Sequence, residues 1–538
     1  MPDGREHEVE DPSEVVEALR AARQYDPSAR GLRARLFGSP EFFRLWLAQA
    51  VSSLGDWLGF LAIVTLAAQV GGATPGTSVG LVLAARIIPG FFLSAAAGVL
   101  IDRMDRKQVM VVTMGIRAAV VAALPFVDSL LGLIFASLVL EFATLFFAPA
   151  KEALVPNVVP REKLTTANSL SLAAAYGTFP LGAGLFAVLA KVAEWLGSID
   201  LLSALKTEQF AVAFYVNVVC YVAAAILIYR LAVTQTHIAT APASVDANGV
   251  GNGRDGWSAR GIFAAFRGGR DGRRDEPAIN LNLGQVFTEI KEGWHYVVLN
   301  PVVRSVNVGL ATGLIGGGML IPLGQQFSVE VLGAGTSGFG VFVFALGLGV
   351  AAGVIAVSTL QARLPKVRTF LAAVWGAGIA LLIGASMSTL GLAAAFVAIL
   401  GICAGGVYVI GFTLLHENVD DEVRGRIFSA LYTLVRLCIL VSMAIGPIIA
   451  DVLDGISRGL FDRHIDVGFE IAVPGVRLTL WLAGVIMLVA GFLAGLSLRS
   501  ASPSETAPSE APPGERPPSE TPQNERRRGE PPDVDAPA

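Results

Sequence analysis

Five ionisable residues interrupt long apolar runs of this 538-residue chain: Asp56, Arg86, Arg117, Glu141 and Arg436. A charge held in such a run costs roughly 2.5–3.5 kcal/mol on membrane-insertion scales, so each needs a partner of opposite sign or a water-filled cavity. Two carboxylates among three guanidinium groups fit one chemistry well. A carboxylate beside an Arg stays ionised; separating the two lets it take up a proton, and re-forming the pair expels that proton. This couples proton movement to a change of shape. At about 1.5 Å per residue along a helix, Asp56 and Arg86 fall at similar depth, and Arg117, Glu141 and Arg436 fall near the middle of their runs. The expected pairs are Asp56 with Arg86, and Glu141 with Arg117 or Arg436. A permanent ion pair that only locks helix packing is the alternative.

The elements that must hold these groups are membrane-spanning helices. Twelve apolar stretches are each long enough to cross a hydrocarbon core, for which about 20 helical residues suffice. They lie near 42–70, 78–101, 106–127, 130–148, 165–192 and 209–233, then 302–330, 337–360, 368–388, 390–415, 426–452 and 475–498. With 53% hydrophobic residues and a mean hydropathy of +0.61, no soluble core could hide this much apolar surface. The runs are continuous and do not alternate, which argues against strands. The expected fold class is an all-α membrane protein. Arg103, Arg106, Lys107, Lys151, Arg161, Lys163, Arg363, Lys366, Arg368, Arg424 and Arg426 crowd the loops on one side. The positive-inside rule then places both termini and the long middle loop in the cytoplasm of a cell whose plasma (inner) membrane holds the chain. The formal net charge of −4 and the scatter of basic residues give no reason to expect a nucleic-acid partner.

The chain divides into a cytoplasmic N-terminal segment (1–40), a six-helix bundle (41–233), a cytoplasmic linker (234–300), a second six-helix bundle (301–499) and a C-terminal tail (500–538) expected to be disordered. Asp11-Pro12-Ser13-Glu14 reads as the start of a short helix. Residues 241–280 read as a flexible linker. Val286, Ile290, Trp294 and Val297 then recur at helical spacing, which predicts an amphipathic helix at the cytoplasmic face. The halves are weakly self-similar: Asn157-Val158-Val159-Pro160 with Arg161 matches Asn418-Val419-Asp420-Asp421 with Arg424. Duplicated six-span units joined by a long loop are the layout of a secondary transporter.

Glycines cluster at Gly316–Gly318, at Gly347, Gly349 and Gly353, and at Gly401, Gly405 and Gly406, spacings that let helices approach closely. Pro89, Pro180, Pro322 and Pro447 sit inside spans and are expected to kink them. Tyr176, Phe179 and Phe342 are candidates to line an apolar substrate cavity or, equally, to face lipid. Cys220, Cys403 and Cys438 fall in separate spans and suit packing better than a disulfide framework. His7, His237, His295, His416 and His464 have no metal-ligand spacing. No Gly-Lys dipeptide occurs, so a phosphate-binding loop is absent. Neither an enzyme nor a bound metal or cofactor is expected.

The run Gly98-Val99-Leu100-Ile101-Asp102-Arg103-Met104-Asp105-Arg106-Lys107 resembles the signature between helices two and three of the major facilitator superfamily, with Asp105 where the family has a second Gly. Ala148-Pro149-Ala150, Val155 to Pro160, Ala167-Asn168-Ser169-Leu170, Arg424-Gly425-Arg426 with Phe428, Glu292-Gly293 and Gly55-Asp56 are similar to the branch that holds macrolide-type drug exporters and the enterobactin exporter. The resemblance implies a monomer with the major facilitator fold. It also implies that Gly98, Asp102, Arg103, Arg106 and Lys107, with Arg424 and Arg426, form a conformational gate on the cytoplasmic side. A carboxylate at Asp102 would meet the positive end of span eleven there. Phe179 replaces the Gly of the Gly-Pro pair usual on helix five of antiporters. The reading at this level is a proton-coupled exporter of amphipathic or lipophilic small molecules. An importer or lysophospholipid-type flippase of the same fold, or a non-transporting membrane scaffold or sensor, stays open.

Overall fold

The computed structural model describes residues 36–101, 104–197, 210–232, 299–360, 363–419, 421–466 and 470–499. The expected N-terminal helix, the amphipathic helix of 281–300 up to residue 298, the linker and the tail lie outside the described residues.

The first half comprises α1 (Pro40–Val70), α2 (Pro75–Ile101), α3 (Arg106–Ala123), α4 (Leu130–Val158), α5 (Leu164–Tyr176), α6 (Thr178–Gly197) and α7 (Ala211–Tyr229). The second comprises α8 (Pro301–Gly318), α9 (Leu320–Gln326), α10 (Gly335–Leu360), α11 (Lys366–Ser386), α12 (Leu390–Asn418), α13 (Asp421–Leu440), α14 (Gly446–Phe461) and α15 (Gly475–Arg499). A short antiparallel hairpin, β1 (His464–Asp466) with β2 (Glu470–Ala472), joins α14 to α15. Counting α5–α6, α8–α9 and α13–α14 each as one crossing, eleven crossings among the described residues are long and apolar enough to span a bilayer. The twelfth is α2, 27 residues with Arg86 as its single charge. Successive crossings run in opposite directions. One end of the molecule, called near here, carries the start of α1 and the end of α15; the far end carries residues 71–74 and the hairpin.

Local chemistry sets where the helices start. Ser39 accepts from the Phe42 amide ahead of Pro40, Asp105 from Gln108 and Asn300 from both Val302 and Val303 ahead of Pro301, which satisfies amides that have no partner inside the helix. Three of the four expected proline kinks fall at breaks. Pro180, Pro322 and Pro447 have no N–H to give to the carbonyls of Tyr176, Gly318 and Met443. The chain interrupts there, at Gly177, at Met319 and in a π-helical turn over Val441–Ile445. Pro89 leaves α2 continuous. The helix α4 runs to Val158, ten residues beyond the expected end of that span at 148.

One apolar cluster fills the first half and takes in Phe339 and Val343 of α10; two others fill the second half. Within the second half, α10 and α12 approach through glycines on both. A Cβ on Gly349 or Gly353 would lie 2.1 Å from the carbonyl oxygen of Ala398 or Ile402, and one on Gly401 2.4 Å from that of Leu346.

The halves meet along two seams, α2 against α14 and α6 against α10. Both are tight in the far half. A Cβ on Gly76 would lie 2.1 Å from the Pro447 carbonyl oxygen, and one on Gly340 2.7 Å from the Ala187 nitrogen. Phe186 meets Phe339 edge to face at 6.1 Å. Among the described residues, the hydrogen bonds between the halves also lie there. Asp451 of α14 accepts from the Gly76 amide (3.1 Å), the Thr77 amide (2.6 Å) and the Thr77 hydroxyl (2.7 Å). Thr65 contacts Gln325 at 3.4 Å.

Candidate functional site

The first half gathers its buried charges into one cluster. Asp56 comes from α1, Arg86 from α2, Arg117 from α3, Glu141 from α4 and Tyr221 from α7. Arg117 is 4% exposed and its Nη2 lies 3.4 Å from Asp56 Oδ1. The same nitrogen donates to the Thr144 hydroxyl at 2.7 Å. Its guanidinium lies between two rings, with Cζ 5.2 Å from the Tyr221 centroid and 5.6 Å from that of Phe147. The Tyr221 hydroxyl donates to Asp56 Oδ1 at 2.6 Å. Asp56 Oδ1 thus accepts one hydrogen bond, from Tyr221, and faces Arg117 as its ion-pair partner, while Arg117 is held by that carboxylate, the Thr144 hydroxyl and two π faces.

This geometry changes the expected pairing. Depth had suggested Asp56 with Arg86, but Arg86 lies over the Phe60 ring, 5.9 Å from its centroid, and Asp56 takes Arg117. Glu141 sits within electrostatic reach of Arg86, Arg117 and Asp56. It lies against Gly90 of α2, where a Cβ would come 3.4 Å from Glu141 Oε1. Arg436 is not among the groups near Glu141. It is on α13 in the other half, and is exposed. The two carboxylates and two arginines of the cluster balance in charge, which lowers the cost of keeping them all inside the membrane.

The expected cavity residues separate. Tyr176 is 67% exposed at the break between α5 and α6. Phe179 packs edge to face on Trp57 at 4.7 Å and against Gly347, in the α6–α10 seam. Phe342 is 2% exposed and buried beside Phe327. It is a core residue of the second half, because its face of α10 turns towards α9 and away from the first half. The exposed rings that do face Tyr176 are not marked by any sequence pattern. Tyr408 of α12 and Tyr432 of α13 are 59% and 53% exposed, and Tyr408 lies within electrostatic reach of both Tyr432 and Tyr176. Phe412 contacts Tyr408 at 4.7 Å and Tyr432 at 6.3 Å. Side chains from both halves therefore border an accessible space at mid-depth, closed towards the far end by the two seams.

Of the expected gate, Asp102 and Arg103 lie outside the described residues. Gly98 is in the last turns of α2, and Arg424 and Arg426 are in the first turns of α13, their side chains outside what is described. Arg106 donates to the Ala153 carbonyl at 2.9 Å. Lys107 donates to the Leu231 carbonyl at 2.8 Å and lies 5.6 Å from the Tyr229 centroid, closing the end of α7 as a basic group does.

No pattern in the sequence singles out Thr144 or Asp451. Tyr221 had a faint signal: with Asn217 it forms an i, i+4 polar pair in an otherwise apolar run, and such pairs share a helix face. Asn217 fits between Gly55 and Gly59, where a Cβ on either would lie 2.4 or 2.2 Å from its amide group. Among the described residues no group of His, Cys, Asp and Glu could hold a metal ion.

Comparison with known proteins agrees with this architecture. The sequence profile of the Major Facilitator Superfamily matches residues 45–323 and 306–530. The uncharacterised transporter YfiS of Bacillus subtilis is 34% identical over 127 residues, covering 24% of this chain and 30% of that protein. Macrolide efflux protein A of Streptococcus pyogenes is 30% identical over 130 residues, 23% of this chain and 32% of that protein. These two matches span about a third of each relative's length. The putative bacilysin exporter BacE of Bacillus subtilis is 25% identical over 431 residues, 76% of this chain and 88% of that protein. Among solved structures, a bacterial homologue of the human lysosomal transporter Spinster, inward-facing and unoccupied, superposes with a TM-score of 0.60 at 14% identity. It covers 86% of this chain and 97% of that one.

Proposed function

The chain belongs to the Major Facilitator Superfamily, and we propose that it is a proton-coupled exporter of amphipathic or lipophilic small molecules. It works by rocking its two halves about the mid-depth space, alternately sealing the far and near ends. The observation that carries the reading is the charge cluster of the first half. Four ionisable groups and a tyrosine hydroxyl meet inside the membrane, where a purely structural bundle has little use for them. Relatives named as exporters support the direction of transport.

In this cycle Glu141 carries the proton. It is the carboxylate of the cluster without a direct ion pair among the described residues, and it is close enough to Arg86 and Arg117 for a small displacement to change its charge balance. Asp56, fixed by Arg117 and Tyr221, holds the scaffold of the cluster in place. Asp102, with Arg424 and Arg426, closes the near end when the far end opens. The near end faces the cytoplasm of a plasma-membrane protein, a reading that the basic loops support, and the far-closed arrangement is then inward-facing.

The test uses inside-out vesicles from a host lacking its own drug pumps. After a proton gradient is set up, lipophilic compounds are added in turn and loss of the gradient is followed with a pH-sensitive dye. The expected result is that at least one compound dissipates the gradient through this protein, and that Glu141→Gln, expressed at the same level, abolishes the response. A compound that still drives full proton exchange in Glu141→Gln removes Glu141 from the role. A panel in which no compound does so removes coupled export.

A further inference from the structure

Arg436 is the charge of the membrane interior that the cluster does not use. It is exposed, and among the described residues no carboxylate lies within 4.0 Å of it, whereas Arg117 has Asp56 at 3.4 Å. Its direction can be read from its helix. At 100° per residue, Arg436 projects 40° from Tyr432, which faces Tyr408 and Tyr176. Met443, two turns beyond Arg436, projects about 20° to the same side of Tyr432, between the two, and packs into the core of the first half. Arg436 therefore sits on the sector of α13 turned to the opposite half, between an aromatic turn and the closed far end. An unpaired guanidinium at mid-depth is costly unless water or an anion meets it. With two carboxylates and two arginines balanced in the cluster, Arg436 leaves the space between the halves positively charged.

We propose that Arg436 is the anion-receiving group of the substrate site, and that Tyr408, Tyr432 and Tyr176 receive the substrate's ring system. The substrate class is then an aromatic or polycyclic small molecule bearing a carboxylate or comparable anionic group, not a lipophilic cation. The planar fork of Arg suits a carboxylate in two-point contact. The tyrosines offer flat apolar faces with hydroxyls at their edges. The inference rests on the exporter reading for its site, but it is separable from proton coupling.

The probe pair is 1-pyrenebutyrate and the cation 1-pyrenylbutyl-trimethylammonium, which share one ring system and differ in charge. Binding to the full chain in nanodiscs is measured by fluorescence anisotropy, with protein-free nanodiscs subtracted. The anion is expected to bind at least tenfold more tightly than the cation. Arg436→Gln should weaken anion binding at least tenfold, about 1.4 kcal/mol, and leave the cation unaffected or tighter. Arg436→Lys keeps the charge but loses the two-point contact, and should bind the anion with an affinity between those of the unaltered protein and Arg436→Gln. A melting profile like that of the unaltered protein shows that each variant is folded. Equal binding of both probes, preference for the cation, no binding of the anion, or an Arg436→Gln variant that binds as before overturns the proposal. So does an equal loss of anion binding in Glu141→Gln, which would make Arg436 a partner of that carboxylate in another conformation. Anion binding that depends on Arg436 with no proton exchange in vesicles would keep this site and remove the coupling. Proton-driven export of the cation alone would do the reverse.

Discussion

At the scale of single residues, the membrane interior enforces partnership, and the partner chosen matters more than the charge itself. Asp56 and Arg117 share a 3.4 Å contact with Tyr221 on the same carboxylate oxygen. Removing Asp56 would leave an arginine that is 4% exposed without its counter-ion, the situation in which a buried pair proves costly to break. A double-mutant cycle on Asp56→Asn and Arg117→Gln should show a coupling of about 1 kcal/mol or more, and the same cycle on Asp56 and Arg86 about 0.3 kcal/mol or less. Unfolding of the purified protein in mixed micelles reads both. Tyr221→Phe removes one hydrogen bond to a charged acceptor and should cost about 1.5–3 kcal/mol in the same assay. If Asp56 coupled more strongly to Arg86, the cluster would be wired differently from the geometry described.

At the scale of elements, small residues and prolines decide how the helices touch and where they bend. The helices α10 and α12 lie so close that each presents glycine to the other's backbone. A side chain on Gly353 meets a carbonyl oxygen at 2.1 Å, which cannot swing aside as a flexible side chain would. Gly353→Val should destabilise the second half by about 1–3 kcal/mol. Gly391→Ala, at a site with open space around it, should change little. Yield of monodisperse protein and its melting temperature in detergent distinguish the two. The glycine clusters that serve as spacers here were legible in the sequence, and so were the breaks at Pro180, Pro322 and Pro447, because a missing N–H is a property of one residue.

At the scale of the whole molecule, the far end is shut by close backbone approach at glycine, one aromatic pair and a few hydrogen bonds. Asp451 crosses between the halves to cap the first turn of α2 through Gly76 and Thr77. A carboxylate at a helix start is worth about 0.5–2 kcal/mol as a cap, and here that energy exists only while the far end is closed. Asp451→Ala, which removes all three contacts, should therefore shift the population towards the far-end-open form. Gly76→Leu should shift it further, because it puts a side chain where the Pro447 carbonyl lies. Spin labels on Ala73 and Gly455, in a chain whose three cysteines have been replaced, should gain a longer-distance component in both variants. An unchanged distance distribution in Gly76→Leu would show that this seam does not set the balance.

Depth was legible in the linear sequence and contact was not. Counting residues from a span's end fixes one coordinate of Asp56, Arg86, Arg117, Glu141 and Arg436. It leaves open which helices are neighbours and how each is rotated about its axis. For that reason depth matches Asp56 with Arg86 where the geometry pairs it with Arg117, and it groups Arg436 with charges that it does not meet. For the same reason Phe342 could be taken for a cavity residue although it faces α9, and Tyr408 and Tyr432 passed unnoticed among many apolar neighbours.

By itself the sequence determined that the chain crosses a membrane as twelve apolar helices, because hydrocarbon admits no unsatisfied backbone and each run is long enough to span it. It also determined that a few charges must be shielded inside, because their insertion cost is a property of the residue. Only the tertiary structure decided that Asp56 belongs with Arg117 and Tyr221, that Asp451 latches the far end, and that Arg436 looks across an accessible space. Those outcomes depend on helix rotation and on close approach through glycine, which are settled when all the spans pack at once and are not encoded in any one of them.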